Sequence, residues 1–407
     1  MAVKPRVAVV SAFLDKQHGT ERCVVEQLNR LASEYEIHVY SGRVADLDLA
    51  RIAWHRVPTI PGPHLLRYVW FLTANHLWRW GDRRLRKLAF DLVYSPGINC
   101  FDADLISVHV VFAEFSRKLK PDMRLSQNPV GSWPRLLHRR LSYRLFTMLE
   151  YRVYGRVDLP LTVVSRKMAG ELDHWFGRRE NVVLVYYGVD TQTFRPEVRE
   201  RLRSEARRQL GFAEHDFVIL LIGNDWNSKG LPCLMNAVAR LQNPALKIAI
   251  VGQDDASPYS KGLDQRTLAS QVAFLPFRAD VEFYYAAADA YVGPSRDDSF
   301  GLPPLEAMAS GLPVIVSRQA GVSEAISDGD DGFILQDPQD SESLASLIQR
   351  LYTDGELRTR LGSNAAKTAT QYSWEANAER LRAIFENLLE RRRKCRADEQ
   401  KTIAANA

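Results

Sequence analysis

The chain has 407 residues, of which 46% are hydrophobic and 25% are charged, and its formal net charge is +5. This length exceeds what one hydrophobic core usually supports and the composition excludes a disordered protein, so two folded domains are predicted. The four cysteines have neither zinc-site nor disulfide-framework spacing, which favours a reducing compartment.

Positive charge is concentrated in the first half of the chain. Residues 61–160 hold 16 Lys or Arg against 8 Asp or Glu, which predicts an anionic partner. No small-residue cleavage site follows an apolar core near the N-terminus, so we expect no signal peptide. The longest apolar stretch, 65–80, contains Arg67 and Arg79 and is too short to span a bilayer. We therefore expect a cytoplasmic protein that is not integral to a membrane.

The first half of the chain has the pattern of short apolar strands separated by helices. The run 6–11 is followed by a loop containing Gly19 and by a helix whose apolar side chains share one face. Because strands alternate with helices, a parallel α/β sheet of Rossmann type is predicted. Further strands are predicted at 36–40, 91–95, 105–111 and 161–165.

Two segments, 64–87 and 133–156, mix aromatic residues with arginines. Tryptophan and tyrosine prefer the headgroup zone and basic helices suit an anionic surface, so the first segment is predicted to dock a membrane or a lipid acceptor. For the second segment, buried aromatics with solvated arginines explain the pattern at least as well. No recognised nucleic-acid motif accompanies the segments, so no nucleic-acid partner is predicted.

The second half of the chain restarts the strand-helix pattern. A strand at 217–222 ends at Gly223 and Asn224, and Lys229 stands where the next helix begins. A lysine at a helix start can meet phosphate oxygens together with the helix amides. Further strands are predicted at 246–253, 272–277, 290–294, 313–317 and 333–335, and helices at 196–210, 301–310, 340–352 and from 373 onwards.

The loop and helix between strands 290–294 and 313–317 hold the strongest functional signal. Asp298 lies in the loop, and Glu306 follows eight positions later, near the helix start. The amides of Phe300, Gly301 and Leu302 should point out of that helix start, where the dipole favours an anion. A carboxylate can accept two hydroxyl donors, so Glu306 suits the diol of a ribose whose phosphates the amides hold. This arrangement predicts a sugar-nucleotide site.

The same residues also fit a simpler structure. In that interpretation the acids only solvate the loop and cap the helix of an ordinary strand-loop-helix unit. The residues by themselves leave both interpretations open.

A resemblance to a known family favours the first interpretation. Residues 294–317, PSRDDSFGLPPLEAMASGLPVIVS, resemble the E-x7-E signature of the retaining GT-B glycosyltransferases known as family 4, or glycosyl transferases group 1. In this chain the first acid is Asp298, which is one methylene shorter than glutamate. The phrase YGVDTQTFRP resembles the segment that closes the N-terminal domain of the family.

The resemblance implies an α/β chain with the GT-B fold, in which two Rossmann-like domains with parallel sheets face a central cleft. It implies an acceptor-binding domain at 1–195 and a domain for the nucleotide-diphosphate (NDP) sugar at 196–372. A C-terminal helix at 373–395 is expected to cross back to the first domain, followed by a flexible tail at 396–407.

The resemblance also assigns roles to individual residues. His109 stands where the family often places a histidine that faces the donor sugar, Asp298 is expected to contact that sugar, and Lys229 to stabilise the leaving phosphates. Asn224 occupies the position of a family arginine, and either Arg296 or Arg278 is a candidate to replace that cation. The expected catalytic residues are His109, Asp298 and Lys229, and the expected nucleotide-sugar-binding residues are Gly19, Gly223, Asn224, Lys229, Arg278, Phe300, Gly301, Leu302 and Glu306.

The implied reaction is transfer of a hexose from an NDP-sugar to a hydroxyl of a saccharide or lipid-linked acceptor, as in cell-surface polysaccharide or lipopolysaccharide synthesis. The loop around Lys229 and the VGQD ending of strand 246–253 resemble lipopolysaccharide-core glucosyltransferases. A UDP-sugar is the favoured donor, with GDP-mannose as the second option, and neither a metal nor a cofactor is expected. An anionic membrane surface, such as the inner face of the plasma membrane, is a further expected partner. Two alternatives remain: a sugar-nucleotide epimerase of GT-B fold and a non-catalytic nucleotide-sugar-binding protein. The sequence does not specify the oligomeric state.

Overall fold

The computed structural model describes residues 4–120, 123, 130–260 and 268–405. Its contacts group the chain into two compact units, Met1–Tyr186 with Glu375–Ala407, and Tyr187–Trp374. Each unit contains its own parallel sheet with helices, so the predicted α/β fold class is confirmed.

The first unit begins with an alternation of strands and helices. Its strands are β1 (Arg6–Val10), β2 (Phe13–Leu14), β3 (Glu36–Ser41), β4 (Arg43–Val44), β5 (Ala53–Arg56), β6 (Leu92–Pro96), β7 (Leu105–Val108), β8 (Leu161–Val163) and β9 (Val182–Leu184). Its helices are α1 (Gly19–Leu31), α2 (His64–Leu85), α3 (Phe112–Leu119), α4 (Trp133–Tyr154) and α5 (Arg166–Phe176), with a 3-10 turn at Val130–Ser132.

The main sheet of the first unit has the strand order β5-β3-β1-β6-β7-β8-β9, and its paired strands are parallel. Strand order reverses between β1 and β6, which makes their carboxyl ends the topological switch point of a doubly wound sheet. Buried apolar runs form the central strands because helices cover both faces of such a sheet. The half-exposed strand β5 forms one edge.

The second unit repeats this architecture. Its helices and strands are α6 (Pro196–Leu210), β10 (Phe217–Ile222), α7 (Leu231–Leu241), β11 (Leu246–Val251), α8 (Ser257–Ser260), β12 (Val272–Leu275), α9 (Glu282–Ala287), β13 (Ala290–Gly293), α10 (Leu302–Ala309), β14 (Val314–Ser317), a 3-10 turn at Gly321–Ala325, β15 (Phe333–Leu335), α11 (Ser341–Thr353) and α12 (Gly355–Ala369).

The sheet of the second unit has the order β12-β11-β10-β13-β14-β15, with parallel pairs throughout. Its switch point lies between β10 and β13. The loops that leave these two strands carry Lys229 and Asp298. A ligand of an open α/β sheet binds at such a point, so the fold itself directs attention to these loops.

The last helix, α13 (Trp374–Ala405), contributes apolar side chains to the core of the first unit. Leu381, Phe385 and Leu389 recur at helical spacing and are 1%, 0% and 7% exposed. The helix continues to Ala405, so the prediction that it ends at 395 is wrong. Its last turns are rich in Arg, Lys, Glu, Gln and Ala, which are strong helix formers.

No helix in the described ranges is long and apolar enough to cross a membrane.

Candidate functional site

The loops at the switch point of the second unit meet through an ion pair. Lys229 Nζ lies 2.5 Å from Asp298 Oδ2, and the two side chains are 23% and 17% exposed. The Arg296 amide also donates to the Ser228 carbonyl at 2.8 Å, so the backbones of the two loops are tied together. Lys229 and Asp298, which were predicted as site residues from separate sequence segments, are therefore neighbours in the structure.

A glycine makes room for the stem of Lys229. Gly223 has a φ of +147°, and a Cβ at this position would lie 2.9 Å from Lys229 Cε. A side chain at 223 would displace the lysine from the end of β10. Gly223, predicted as a nucleotide-sugar-binding residue, thus allows the lysine stem to pass close to the backbone in the structure.

The start of α10 lies against the same ion pair. Gly301 is the N-cap with a φ of +100°, and a Cβ there would lie 3.3 Å from Asp298 Oδ2. Pro303 and Pro304 have no N–H, so the amides that this helix start offers are those of Gly301 and Leu302. The positive end of the helix dipole and the Lys229 ammonium therefore both lie close to Asp298 Oδ2, an arrangement that suits a polyanion.

Glu306 lies one turn further along α10 and is 3% exposed. Its Oε2 accepts a hydrogen bond from the Tyr285 hydroxyl at 2.7 Å. This bond fixes the carboxylate in one orientation. The side chain of Phe300 is fully buried and packs edge-on against Tyr187, so only the backbone of Phe300 is available to a ligand.

Two predicted site residues are engaged elsewhere. Arg278 forms an ion pair with Asp280 at 2.7 Å and lies over the Phe283 ring, and it follows the edge strand β12, three strand spacings or about 14 Å from β13. The prediction that Arg278 supplies a second cation beside Lys229 is not supported by these contacts. Asn224 Oδ1 accepts the Gln253 amide at 2.9 Å and so links the loops after β10 and β11.

The other two predicted residues belong to the first unit. Gly19 is the exposed first residue of α1. His109 directly follows β7 and is 6% exposed, and burial lowers the pKa of its imidazole to about 3. The ring is therefore neutral at ordinary pH and can serve as a hydrogen-bonding group but not as a cation.

The sequence analysis did not identify Glu150, whose carboxylate binds the backbone a few residues after His109. Its two carboxyl oxygens accept the amides of Phe112 at 2.6 Å and Ala113 at 2.8 Å, at the first turn of α3. Burial raises the pKa of Glu150 to about 8, although the two amides oppose this shift. The available signal was that Glu150 is the single acid of an arginine-rich helix and shares the helical face of Phe146, Leu149 and Val153.

Among the described residues, no group of three or more His, Cys, Asp or Glu side chains is arranged to hold a metal ion. The groups at the switch point of the second unit include one ammonium, one helix start and two carboxylates. Such a set can bind a phosphate-linked polyol and stabilise negative charge that develops on the phosphate.

Two family models match the chain. The model described as "Glycosyl transferases group 1" matches residues 203–368, and the one described as "Glycosyltransferase Family 4" matches residues 18–193. The first of these matches lies within the second unit. The other covers most of the first unit. Together they extend over most of the chain.

Curated relatives and solved structures agree with these matches. A D-inositol 3-phosphate glycosyltransferase of Corynebacterium aurimucosum is 30% identical over 58% of this chain and 58% of its own length, so the chain spans just over half of that relative. WaaG, a glycosyltransferase involved in lipopolysaccharide biosynthesis, aligns over 93% of this chain and 99% of its own with a TM-score of 0.74 and 20% identity. Anabaena HepE in complex with UDP and glucose aligns over 93% of this chain and 99% of its own with a TM-score of 0.67 and 20% identity. These structures share the two-domain GT-B fold with this chain.

Proposed function

The chain belongs to the family 4 glycosyltransferases of group 1, and from this membership we propose that it transfers a hexose from an NDP-sugar to an acceptor hydroxyl with retention at the anomeric carbon. The observation that carries most weight is the 2.5 Å contact between Lys229 Nζ and Asp298 Oδ2 beside the start of α10. It joins the two loops at the point where doubly wound sheets bind their ligands.

In the proposed step, the bond from the anomeric carbon to the phosphate oxygen breaks and a bond to the acceptor oxygen forms on the same face of the sugar. The acceptor hydroxyl passes its proton to the departing phosphate oxygen, and the nucleoside diphosphate leaves with the electron pair of the broken bond, so negative charge develops on the phosphates in the transition state. Lys229 and the Leu302 amide are the groups of this unit that would stabilise that charge. Asp298 lies beside Lys229 and would therefore meet the sugar that the diphosphate carries.

Glu306 is proposed to hold the ribose of the nucleotide. Its carboxylate is oriented by the Tyr285 hydroxyl at 2.7 Å, and a fixed carboxylate loses less entropy when it accepts two ribose hydroxyls. A UDP-sugar is the favoured donor, and the HepE structure with UDP and glucose supports this preference. The proposed acceptor is a saccharide or a lipid-linked saccharide, as in lipopolysaccharide synthesis, and no metal is proposed to take part.

The test is nucleotide release by the purified full chain from UDP-glucose, UDP-galactose and GDP-mannose, with and without a saccharide acceptor. We expect one donor to raise the unfolding temperature, since a ligand at 100 times its Kd stabilises the folded state by about 2.7 kcal/mol. Nucleotide release from that donor should accelerate when the acceptor is added. Conversion of the donor without an acceptor would support an epimerase, binding without turnover would support a non-catalytic binder, and failure of all three donors to bind would contradict a nucleotide-sugar site.

We further propose that the acceptor is reached at an anionic membrane, because two helices of the first unit expose apolar stripes. On α2, Leu66, Trp70, Leu77 and Trp80 recur at helical spacing and are 36% to 62% exposed. Arg67 and Arg84 are exposed on the same helix. Arg79, which belongs to the basic segment predicted to dock a membrane, does not contribute to this surface. It is buried and paired with Asp102 at 2.7 Å.

Helix α4 exposes a similar stripe. Trp133, Leu137, Leu141 and Met148 are 37% to 59% exposed, and Arg144 lies among them on the same helical face. Phe146 is buried and packs against Tyr68 of α2 at a ring distance of 4.9 Å, so the two helices are neighbours. Some aromatic side chains of α4 thus belong to the core of the first unit, whereas its exposed leucines lie on the surface. Apolar side chains mixed with arginines are typical of helices that lie on anionic bilayers.

Glutamate substitutions at Leu77 and Leu141 should together weaken binding to phosphatidylglycerol-containing vesicles by at least about tenfold. Each change removes apolar area worth about 1 kcal/mol and adds a charge that the anionic surface repels. Vesicle co-sedimentation measures the effect, and vesicles of phosphatidylcholine alone should bind less of the wild-type chain. The matched control is Phe277→Glu, at a residue of the second unit that is 47% exposed. Binding of the double variant equal to that of the wild type would rule out this surface.

A further inference from the structure

A cavity of about 510 Å³ lies in the first unit, between the edge strand β5 and the end of α2. Its lining includes two tryptophans, two arginines, a histidine and an aspartate: Trp54, His55, Arg56, Trp78, Asp82 and Arg86. We propose that this cavity binds a sugar that carries an anionic group, either a phosphate or a carboxylate. This site goes beyond the transferase function and does not depend on it.

The two tryptophans supply flat apolar surface. Trp54 and Trp78 line the cavity and are 37% and 39% exposed, so each leaves part of its indole open. The Trp54 indole N–H donates to the Ser41 carbonyl at 3.0 Å. This bond fixes the ring of Trp54 where it lines the cavity. Ring faces of indoles suit the C–H face of a pyranose, which combines apolar surface with a polar rim.

The deeper polar groups are fixed before any ligand binds. The side chains of His55 and Asp82 are each 12% exposed, and His55 Nδ1 lies 2.8 Å from Asp82 Oδ2. The Tyr40 hydroxyl donates to the same oxygen at 2.7 Å, and His38 Nδ1 lies 2.9 Å from His55 Nε2. A network held in this way does not need to reorganise around a sugar hydroxyl, which favours affinity.

The outer part of the cavity is positively charged. Arg86 Nη1 lies 3.3 Å from Asp82 Oδ1 and is 69% exposed, whereas Arg56 makes no ion pair within the part of the chain that the structure describes. Two guanidinium groups thus line the cavity together with a single carboxylate that already accepts bonds from Tyr40 and His55. Their planar donor pairs match phosphate and carboxylate oxygens, so an anionic sugar is favoured over a neutral one.

This cavity is distinct from the residues assigned to sugar transfer in the same unit. The order β5-β3-β1-β6-β7 separates β5 from β7, the strand before His109, by four strand spacings or about 19 Å. A monosaccharide in the cavity therefore cannot touch the segment that follows β7.

The experiment is a ligand-detected NMR titration of the full chain with glucose 6-phosphate, glucuronate, glucose and inorganic phosphate. We expect saturable binding of glucose 6-phosphate or glucuronate at millimolar concentration, at least about tenfold tighter than glucose or phosphate alone. Binding of only one of the two anionic sugars would identify the anion. Trp78→Ala and Arg56→Gln should each weaken binding by at least about fivefold, and Trp80→Ala, on the outward stripe of α2, should not.

Three outcomes would overturn the proposal. They are no saturable binding of either anionic sugar, binding of inorganic phosphate as tight as that of the sugars, and binding that neither Trp78→Ala nor Arg56→Gln weakens. Arg56 is exposed, so the Arg56→Gln variant should fold and would test the site even if the Trp78→Ala protein did not fold. Lys229→Ala should leave the titration unchanged, and loss of sugar binding in that variant would assign the signal to the nucleotide-sugar site instead. If the chain bound an anionic sugar in this titration but released no nucleotide from any donor, the result would contradict the transferase proposal and leave the cavity proposal intact.

Discussion

Replacement of Lys229 by alanine is expected to lower kcat/KM for nucleotide release from the donor by about 100-fold or more. The Lys229 ammonium stands at the start of α10 and is the cation that we assign to the leaving diphosphate, and loss of one such charge-stabilising group typically costs about 3 kcal/mol of transition-state free energy. The contact with Asp298 at 2.5 Å adds a second consequence, because the donor must share or displace this carboxylate when it binds.

Three comparisons separate this catalytic role from a structural one. Lys367→Ala removes an exposed lysine of α12 in the same unit and should leave nucleotide release unchanged. The unfolding temperature of Lys229→Ala should fall by no more than a few degrees, since a partly exposed ion pair is worth at most about 1 kcal/mol. Asp298→Asn removes the same ion pair but keeps the lysine, so it should retain nucleotide binding. Equal rates for Lys229→Ala and the wild type would remove the lysine from the mechanism.

The main elements of the fold could be predicted because both sheets are parallel and their central strands are buried on both faces. Strands β10, β13 and β14 are continuous apolar runs, and each was predicted within one or two residues. The missed strands were the short or exposed ones. Strand β5 is half-exposed at a sheet edge, and β2 and β4 have two residues each, so none carries a periodic apolar pattern.

The candidate site was partly predictable for a related reason. Lys229 and Asp298 belong to segments 69 residues apart, but both follow strands that the doubly wound order makes adjacent. Arg278 could not be placed in the same way. In the structure its partner is Asp280, two residues away, and it follows the edge strand β12 and not a strand at the switch point.

No sequence pattern identified which distant residues pair in the buried polar contacts. The bond from Tyr285 to Glu306 spans 21 residues, and those from Phe112 and Ala113 to Glu150 span 38 and 37. Tertiary packing alone decides such pairs. The pairings that orient the candidate site groups were therefore visible only in the structure.

The second large effect concerns Glu306, where Glu306→Gln should weaken binding of the nucleotide by about 10- to 100-fold. Glutamine keeps the size of the side chain and one acceptor for the Tyr285 hydroxyl, but it lacks the negative charge that we propose for the ribose diol. A hydrogen bond to a charged group is worth about 1.5–3 kcal/mol, and this range sets the expected loss. Isothermal titration with UDP measures it without an acceptor or turnover.

The conservative change is necessary because Glu306 is 3% exposed and its replacement by alanine would leave the Tyr285 hydroxyl buried without its acceptor. Tyr285→Phe is the matched control. It removes the 2.7 Å bond that orients the carboxylate but not the carboxylate itself, so UDP binding should weaken by less than about fivefold. If Glu306→Gln bound UDP as tightly as the wild type while Lys229→Ala did not, the nucleotide would be held by its phosphates alone. In that case the ribose would have to be assigned to other groups of the second unit, and Glu306 would be a buried partner of Tyr285.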